Sequence, residues 1–600
     1  MFKRWLLIFG MLLSSIILKA QEIELANEYF KQGEYEKAKE LFEKISRDKN
    51  NARLIHRNYV DCLFKLRNFE DAEKFLKKQI KNNETAATYK ADYAQLLELL
   101  GKTDQSKQMT DALINDVART DDGIYELQDY YYQKGSLDLV IQLLLKGREL
   151  QKSPDKFAIF LARAYLYNGQ KENMLDEILT YGLKEGNIEY VKATIQDNLK
   201  EDKEIDMLEK TLYKRIQANP NEIFYSELII WHQIQQKNFY KAFLQSKALD
   251  KKLKLEGQKV FELASIAFKN KDYRNAILMY DYVMKEYPAG EYYPFARRWI
   301  IQCKEELVKA TYPINKDEIR SLIVEYDKLI QDVGLNAKTL EAVRNKAILK
   351  AFYLDENQEA IKILEDLIAS KFIDNNFKDR CKIDLGDIYL LKDEPWEATL
   401  LYSQVEKSNK EDYLGEEAKL KNAKLHYYNA EFDLAKELLD ILKKATTREI
   451  ANDAMELSLL IQDNTGMDTT EQAMKEYAAM ELLVYQNKNE EALVKIDTIA
   501  AKYKSHSLAD EILWKKANIE LKLNQYENAL VDLEAITKNY STDILADDAY
   551  FLEGKIIEEK LNQKEKAMAI YRDILQKYPG SIYGAEARKR YRQLRGDYIN

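Results

Sequence analysis

A chain of 600 residues would ordinarily fold as several globular domains, because a single hydrophobic core stops growing at roughly 250 to 300 residues. With only 7 Pro and 19 Gly, it has too few breakers for the turns of a sheet protein, and an almost entirely helical chain is implied. A formal charge of −9, with 32% charged residues and 41 Tyr against 20 Phe, fits short amphipathic helices and argues against a nucleic-acid-binding body.

The chain begins MFKRWLLIFGMLLSSIILKAQ: cations at Lys3 and Arg4, an apolar run from Trp5 to Leu18, then Ala20 and Gln21. This is the pattern of a secretory signal peptide over residues 1–20, with cleavage expected after Ala20. Leu18 departs from the small-residue rule at the position three before the cut, so an uncleaved anchor in the inner membrane is the alternative. Losing residues 1–20 takes the formal charge from −9 to −12 and leaves no transmembrane segment. The three cysteines, Cys62, Cys303 and Cys381, are odd in number, widely spaced and without a CxxC, which favours buried thiols over disulfides. Only four histidines exist, and none has a second ligand at helical spacing, so no metal or cofactor is implied.

From QGEYEKAKELF a period of 34 residues runs through the first half. Starting at Ala38, it lands on Ala72, Ser106, Val140, Met174, Leu208, Ala242 and Ala276, each small or apolar. Thirteen residues before these anchors stand Leu25, Tyr59, Tyr93, Leu127, Leu161, Ile195, Ile229 and Leu263, all apolar or aromatic. Five residues before them stand Gly33, Arg67, Gly101, Gly135, Gly169, Lys203, Lys237 and Lys271, where a helix must end and reverse. Each unit is therefore helix, tight turn, helix.

The pattern resembles the tetratricopeptide repeat, whose signature is clearest in DLGDIYLLKDEPWEATLLY, with Leu385, Gly386 and Tyr389 on one helix and Ala398 and Tyr402 on the next. The resemblance implies an all-α, right-handed α-solenoid of helix hairpins, about eight units over residues 21–288. Beyond Pro288 the anchors become Ala360, Ala398, Ala435, Ala492, Ala529 and Ala567, at spacings of 38, 37, 57, 37 and 38, which predicts longer helices and displaced turns. Residues 289–335, with Pro288, Gly290, Pro294 and Pro313 in or beside them, read as an irregular joint with longer helices. A second solenoid is expected over 336–580, with an extra helix near 449–463 filling the spacing of 57. The acidic loop DNTGMDTTE after that helix lacks the spacing of a calcium-binding EF-hand loop and reads as a connector.

Stacked repeats of this kind present a long binding surface. No phosphate loop, HExxH, GxSxG or Cys–His pairing supports catalysis, so an enzyme is not expected. The resemblance implies that the position eleven before each anchor faces a partner. These residues are Asn27, Asp61, Gln95, Asp129, Arg163, Asp197, Trp231 and Ser265, a mixed, slightly acidic row that suits a basic or extended partner segment. Tyr125, Asp129 and Tyr132 are the nearest approach to a glycan platform of aromatics beside acids.

KEYPAGEYYPFARR and QKYPGSIYGAEARKR, with AKYKSHSLADEILWKKA and KNYSTDILADDAYFLEG, are similar to tetratricopeptide proteins of Gram-negative envelopes. That likeness implies a periplasmic or outer-membrane-associated adaptor for protein or peptide partners, including outer-membrane-associated proteins. A periplasmic peptide- or client-binding chaperone-like factor is the alternative. No lipid-attachment cysteine follows the apolar run. The chain closes on a capping helix and tail, residues 581–600, where Ala585, Ala587, Tyr591 and Leu594 are expected to cover the last unit. Arg588, Arg592 and Arg595 are candidates for docking on an anionic surface. A nucleic-acid site is not expected there.

Overall fold

The structure, a computed structural model, describes residues 21–82, 87–410, 412–445, 447–466 and 470–595. The signal-like segment, residues 467–469 of the acidic loop and the last five residues lie outside the described residues. Among the described residues every regular element is an α-helix, and consecutive helices pair as antiparallel hairpins in an α-solenoid.

The packing follows the anchors. Ala38, Ala72, Val140, Ala242 and Ala276 are wholly buried, and Ser106, Met174 and Leu208 nearly so. In the second series all six anchors, Ala360 to Ala567, are wholly buried. One turn later on the same helices, Leu364, Tyr402, Leu439, Ile496, Leu533 and Tyr571 are also buried, each large side chain contributing roughly 1.5–3 kcal/mol. A small anchor lets the two helices of a hairpin approach, and the large residue four positions on fills the space beside it. Leu25 is the exception in the first-helix series, 47% exposed where no described helix precedes it.

The turns keep one position. Five residues before the anchors, Gly33, Arg67, Gly101, Gly135, Gly169, Lys237 and Lys271 all take positive φ. So do Asp355, Asp393, Ala430, Asn487, Asn524 and Asn562 in the second series. The turns have not moved in the second half, contrary to the expectation from the longer spacing. The added residues lie mainly between hairpins, as in the stretches 503–508 and 540–545. Tyr287, Tyr503, Tyr540 and Tyr578 open four such stretches as C-caps, each N–H returning to the carbonyl four residues back. Lys203 is the second correction. It lies inside the helix Asp202–Ala218, and the reversal falls on Leu199 to Glu201, fixed by a capping box between Glu201 and Glu204.

By contact density the chain divides into two compact units, residues 1–228 and 229–600, with the boundary inside the helix Ile223–Gln235. Residues 289–335, expected as a joint, lie within the second unit. They carry helices Tyr293–Lys309 and Lys316–Val333, which pack as a longer hairpin around Ile319, Tyr326 and Leu329.

The extra helix is Arg448–Thr465. It packs on Phe432–Leu442 and stands outside the row of first helices, because Tyr413–Tyr428 and Gln472–Tyr485 still touch. The Tyr427 hydroxyl donates to Glu481 at 2.6 Å, and the Tyr428 and Tyr485 rings lie 6.0 Å apart. Within this unit distant hairpins also meet: the Asn524 amide donates to the Tyr312 carbonyl at 2.9 Å, and the Asn487 amide to the Phe352 carbonyl at 3.2 Å. Among the described residues no helix is long and apolar enough to cross a membrane. All three cysteines are buried and free. Burial pushes the Cys62 thiol up to about 11 and those of Cys303 and Cys381 up to about 12.

Candidate partner-binding surfaces

In the first unit, four residues from the eleven-before-anchor row are charged, and they divide by what they touch. Asp61, on helix Lys49–Lys65, is ion-paired with Lys134, which also stands 3.3 Å from the wholly buried Asp92. Asp92 is 2.6 Å from His56 Nε2, so an internal network holds three hairpins together and already engages Asp61. Burial pushes the Asp92 carboxyl up, and His56, Lys134 and Tyr130 more than reverse this, holding it below the usual carboxylate range. Asp129, Arg163 and Asp197 are exposed, on helices Asp121–Lys134, Ala158–Tyr167 and Ile188–Asn198.

Helix Asp121–Lys134 also carries Tyr125 and Tyr132. The Tyr125 ring is 39% exposed and lies 5.5 Å from Phe160. The Tyr132 hydroxyl donates to the Phe160 carbonyl at 3.3 Å, and its pKa is raised by burial, with the Arg163 charge opposing. Tyr125, Tyr132 and Arg163 therefore gather where two hairpins adjoin, with Asp129 one turn away on the same helix. Trp231 is half-buried and belongs to the second unit. Ser265, in the same row, is turned inward: its hydroxyl reaches the Phe261 carbonyl and the Tyr280 hydroxyl, both at 3.0 Å.

The C-terminal helix, Gly584–Arg595, covers the last hairpin with Ala587, Tyr591 and Leu594, whereas Ala585 is exposed. Arg588 and Arg592 are exposed, and the Arg595 guanidinium lies 5.3 Å from the centre of the Tyr591 ring. The basic residue that anchors the helix is one the sequence did not single out. Arg590 reaches Glu558 and Glu559, both at 2.8 Å, and Glu586 at 3.1 Å. The one trace in the sequence is the Glu586–Arg590 spacing of a helical ion pair.

Tetratricopeptide-repeat family profiles match residues 29–96 and 548–581, one near each end of the array. The chain carries tetratricopeptide repeats at both places. Its hairpins provide a scaffold for protein–protein contact, which is the use such arrays make of their surface. Three solved structures show a distant likeness to this chain. One is a tetratricopeptide repeat protein from Parabacteroides merdae, at 13% identity over 50% of this chain and 98% of that one, with a TM-score of 0.26. A second is Naa15/Naa10 bound to HypK-THB, at 13% identity over 97% and 92%, with a TM-score of 0.27. The third is the APC/C hetero-tetramer Cut9–Hcn1, at 11% identity over 95% of both chains, with a TM-score of 0.26. No match was found among curated proteins.

Extending the eleven-residue offset to the second series lands on Leu349, Asp387, Lys424, Glu481, Asn518 and Ile556, of which Leu349 and Ile556 are buried. Asp387 and Lys424 line one cavity of this repeat array, between helices Asn375–Leu391, Tyr413–Tyr428 and Arg448–Thr465. The row that ends at Ser265 in the sequence does not reach this site, and its continuation mixes charged positions with buried apolar ones.

Proposed function

We propose that this protein is an exported, non-catalytic scaffold that binds protein partners and helps assemble or organise a complex of the cell envelope, in the periplasm or at the outer membrane. The observation that carries the scaffold reading is the repetition of helix hairpins within each unit, with Asp129, Arg163 and Asp197 of the first unit exposed at equivalent positions. Export rests on the charged start, apolar run and Ala20 boundary of residues 1–20. Crosslinking in intact cells, followed by fractionation and identification of the adducts, tests both parts. The expected result is a mature chain beginning at Gln21, recovered with periplasmic or outer-membrane proteins. A cytosolic chain retaining Met1 would overturn the envelope reading, and a chain yielding no protein adduct would overturn the scaffold reading.

A further inference from the structure

The cavity lined by Asp387, Tyr413 and Glu449 in the second unit has a volume of about 300 Å³. Its floor is internally satisfied. Lys421 Nζ reaches both Asp387 oxygens, at 3.0 and 2.8 Å, and the Tyr402 hydroxyl donates to the same carboxylate at 2.7 Å. Lys424 pairs with Asp453 across the wall at 3.2 Å. Glu417 and Glu449 remain, and among the described residues neither forms an ion pair.

Between these two carboxylates stands Tyr413, 52% exposed, whose hydroxyl is pushed up by burial and then by Glu417 and Glu449. Tyr485 lines the same cavity, with its hydroxyl buried beside Asp387 and the Tyr402 hydroxyl. Tyr413 and Glu417 also border an adjoining cavity of about 550 Å³. The guanidinium groups there, Arg344 and Arg380, are already engaged by Glu341 and Asp384 and do not neutralise Glu417. Glu449 and Asp453 come from the inserted helix, so the segment that stretches the anchor spacing to 57 supplies a wall that the hairpin array itself does not need.

We propose that this pocket takes a basic side chain, arginine or lysine, of an extended segment of a protein partner. The proposal rests on the scaffold reading and names the partner chemistry at one place on it. A cation between Glu417 and Glu449 gains charge-assisted hydrogen bonds and the face of Tyr413, while its aliphatic stem lies against Leu420 and Ile450. An acidic segment would meet two carboxylates that have no ion pair among the described residues, Glu417 being offset only through the nearby Lys421 charge, which already pairs with Asp387.

The full chain would be titrated with fluorescein-labelled Gly–Ser peptides carrying paired arginines, lysines, glutamines or glutamates, read by anisotropy. Arginine and lysine peptides are expected to bind, more weakly as salt rises. Glu417→Gln with Glu449→Gln should weaken them by roughly tenfold or more. Tyr413→Leu should weaken them by roughly threefold. Glu417→Lys, checked for unchanged thermal unfolding, should shift the preference toward glutamate peptides. Equal binding of glutamine or glutamate peptides by the unaltered chain overturns the proposal, as does undiminished binding by the double glutamine variant. Binding of chitotetraose that survives the double variant, with no basic peptide bound, would assign the pocket to a glycan instead. In-cell partners retained in full by the double variant would overturn the pocket and leave the scaffold reading standing. A wild-type chain without protein partners would overturn that reading first.

Discussion

A β-carbon placed on Gly386 would stand 2.6 Å from Cε1 of Tyr402. The relationship recurs 168 residues later, where one on Gly554 would stand 2.8 Å from Cε1 of Tyr571. In each hairpin a first-helix glycine receives the ring of the second helix, and the ring's hydroxyl then reaches a carboxylate on the first helix. Tyr402 donates to Asp387 at 2.7 Å and Tyr571 to Glu558 at 2.6 Å. One small residue thus sets both how closely the helices pack and where a buried tyrosine finds its acceptor.

Gly386→Ala and Gly554→Ala are therefore each expected to destabilise the second unit by about 1–3 kcal/mol, the usual cost of overpacking, even though alanine is the better helix former. Urea denaturation measures this. Unchanged midpoints in both variants would show that the tyrosine rings shift aside without cost.

In the first unit, Lys134 is shared by Asp61 and the wholly buried Asp92. Lys134→Met leaves Asp92 with His56 and Tyr130 but without the lysine charge and should cost about 3–5 kcal/mol, whereas Asp92→Leu combined with Lys134→Met should cost less than the separate losses summed. The folded Asp92 ionises below the usual carboxylate range, so its contribution is present above the unfolded value of about 3.9 and is lost as pH falls through the folded value. Asp92→Asn should flatten that acid limb in a denaturation series.

The fold was legible because it depends on periodicity. Ala38 to Ala276 are small or apolar and Ala360 to Ala567 are all alanine at one helical position, which is buried throughout. The turns were legible where glycine marks them. They were less so at Arg67, Ala430 and Asn487, which take the same positive φ without it. Lys203 misled because the sixth hairpin has a short first helix and reverses through a capping box instead. Polar pairing was not legible. His56, Asp92 and Lys134 come from three hairpins, and a period tells which face a residue occupies but not which distant charge it meets. Glu417 and Glu449 converge on Tyr413 because of how an inserted helix packs, which no repeat pattern encodes.

At the C-terminus, Arg590 and its neighbours separate by role. Arg590→Gln removes the contacts to Glu558 and Glu559 and should cost roughly 1.5–3 kcal/mol in docking of the last helix. Hydrogen exchange in residues 584–595 would rise accordingly. Replacing Arg588, Arg592 and Arg595 together with Gln should leave that protection unchanged. The triple variant would then report only on whether these side chains dock on an anionic surface, by flotation with vesicles containing phosphatidylglycerol.

Glu553 gives the second unit a pH dependence of opposite sign to that of Asp92. Its carboxyl is buried without an ion pair among the described residues, and burial, then the nearby Glu534, push it up to about 7, with Lys538 and Lys577 opposing. The folded state therefore holds a proton that an unfolded glutamate, near pKa ~4.3, releases. Between these values the native chain binds more protons than the unfolded one, so stability falls as pH rises through the window and the full penalty is present above it. The penalty is on the order of 3 kcal/mol for a group this buried. Glu553→Gln should flatten the slope between pH 5 and 8 and make the unit more stable at pH 8, with little change at pH 5. Denaturant unfolding of wild type and variant at the two pH values measures this directly, and an unchanged slope in the variant would place the titrating proton elsewhere.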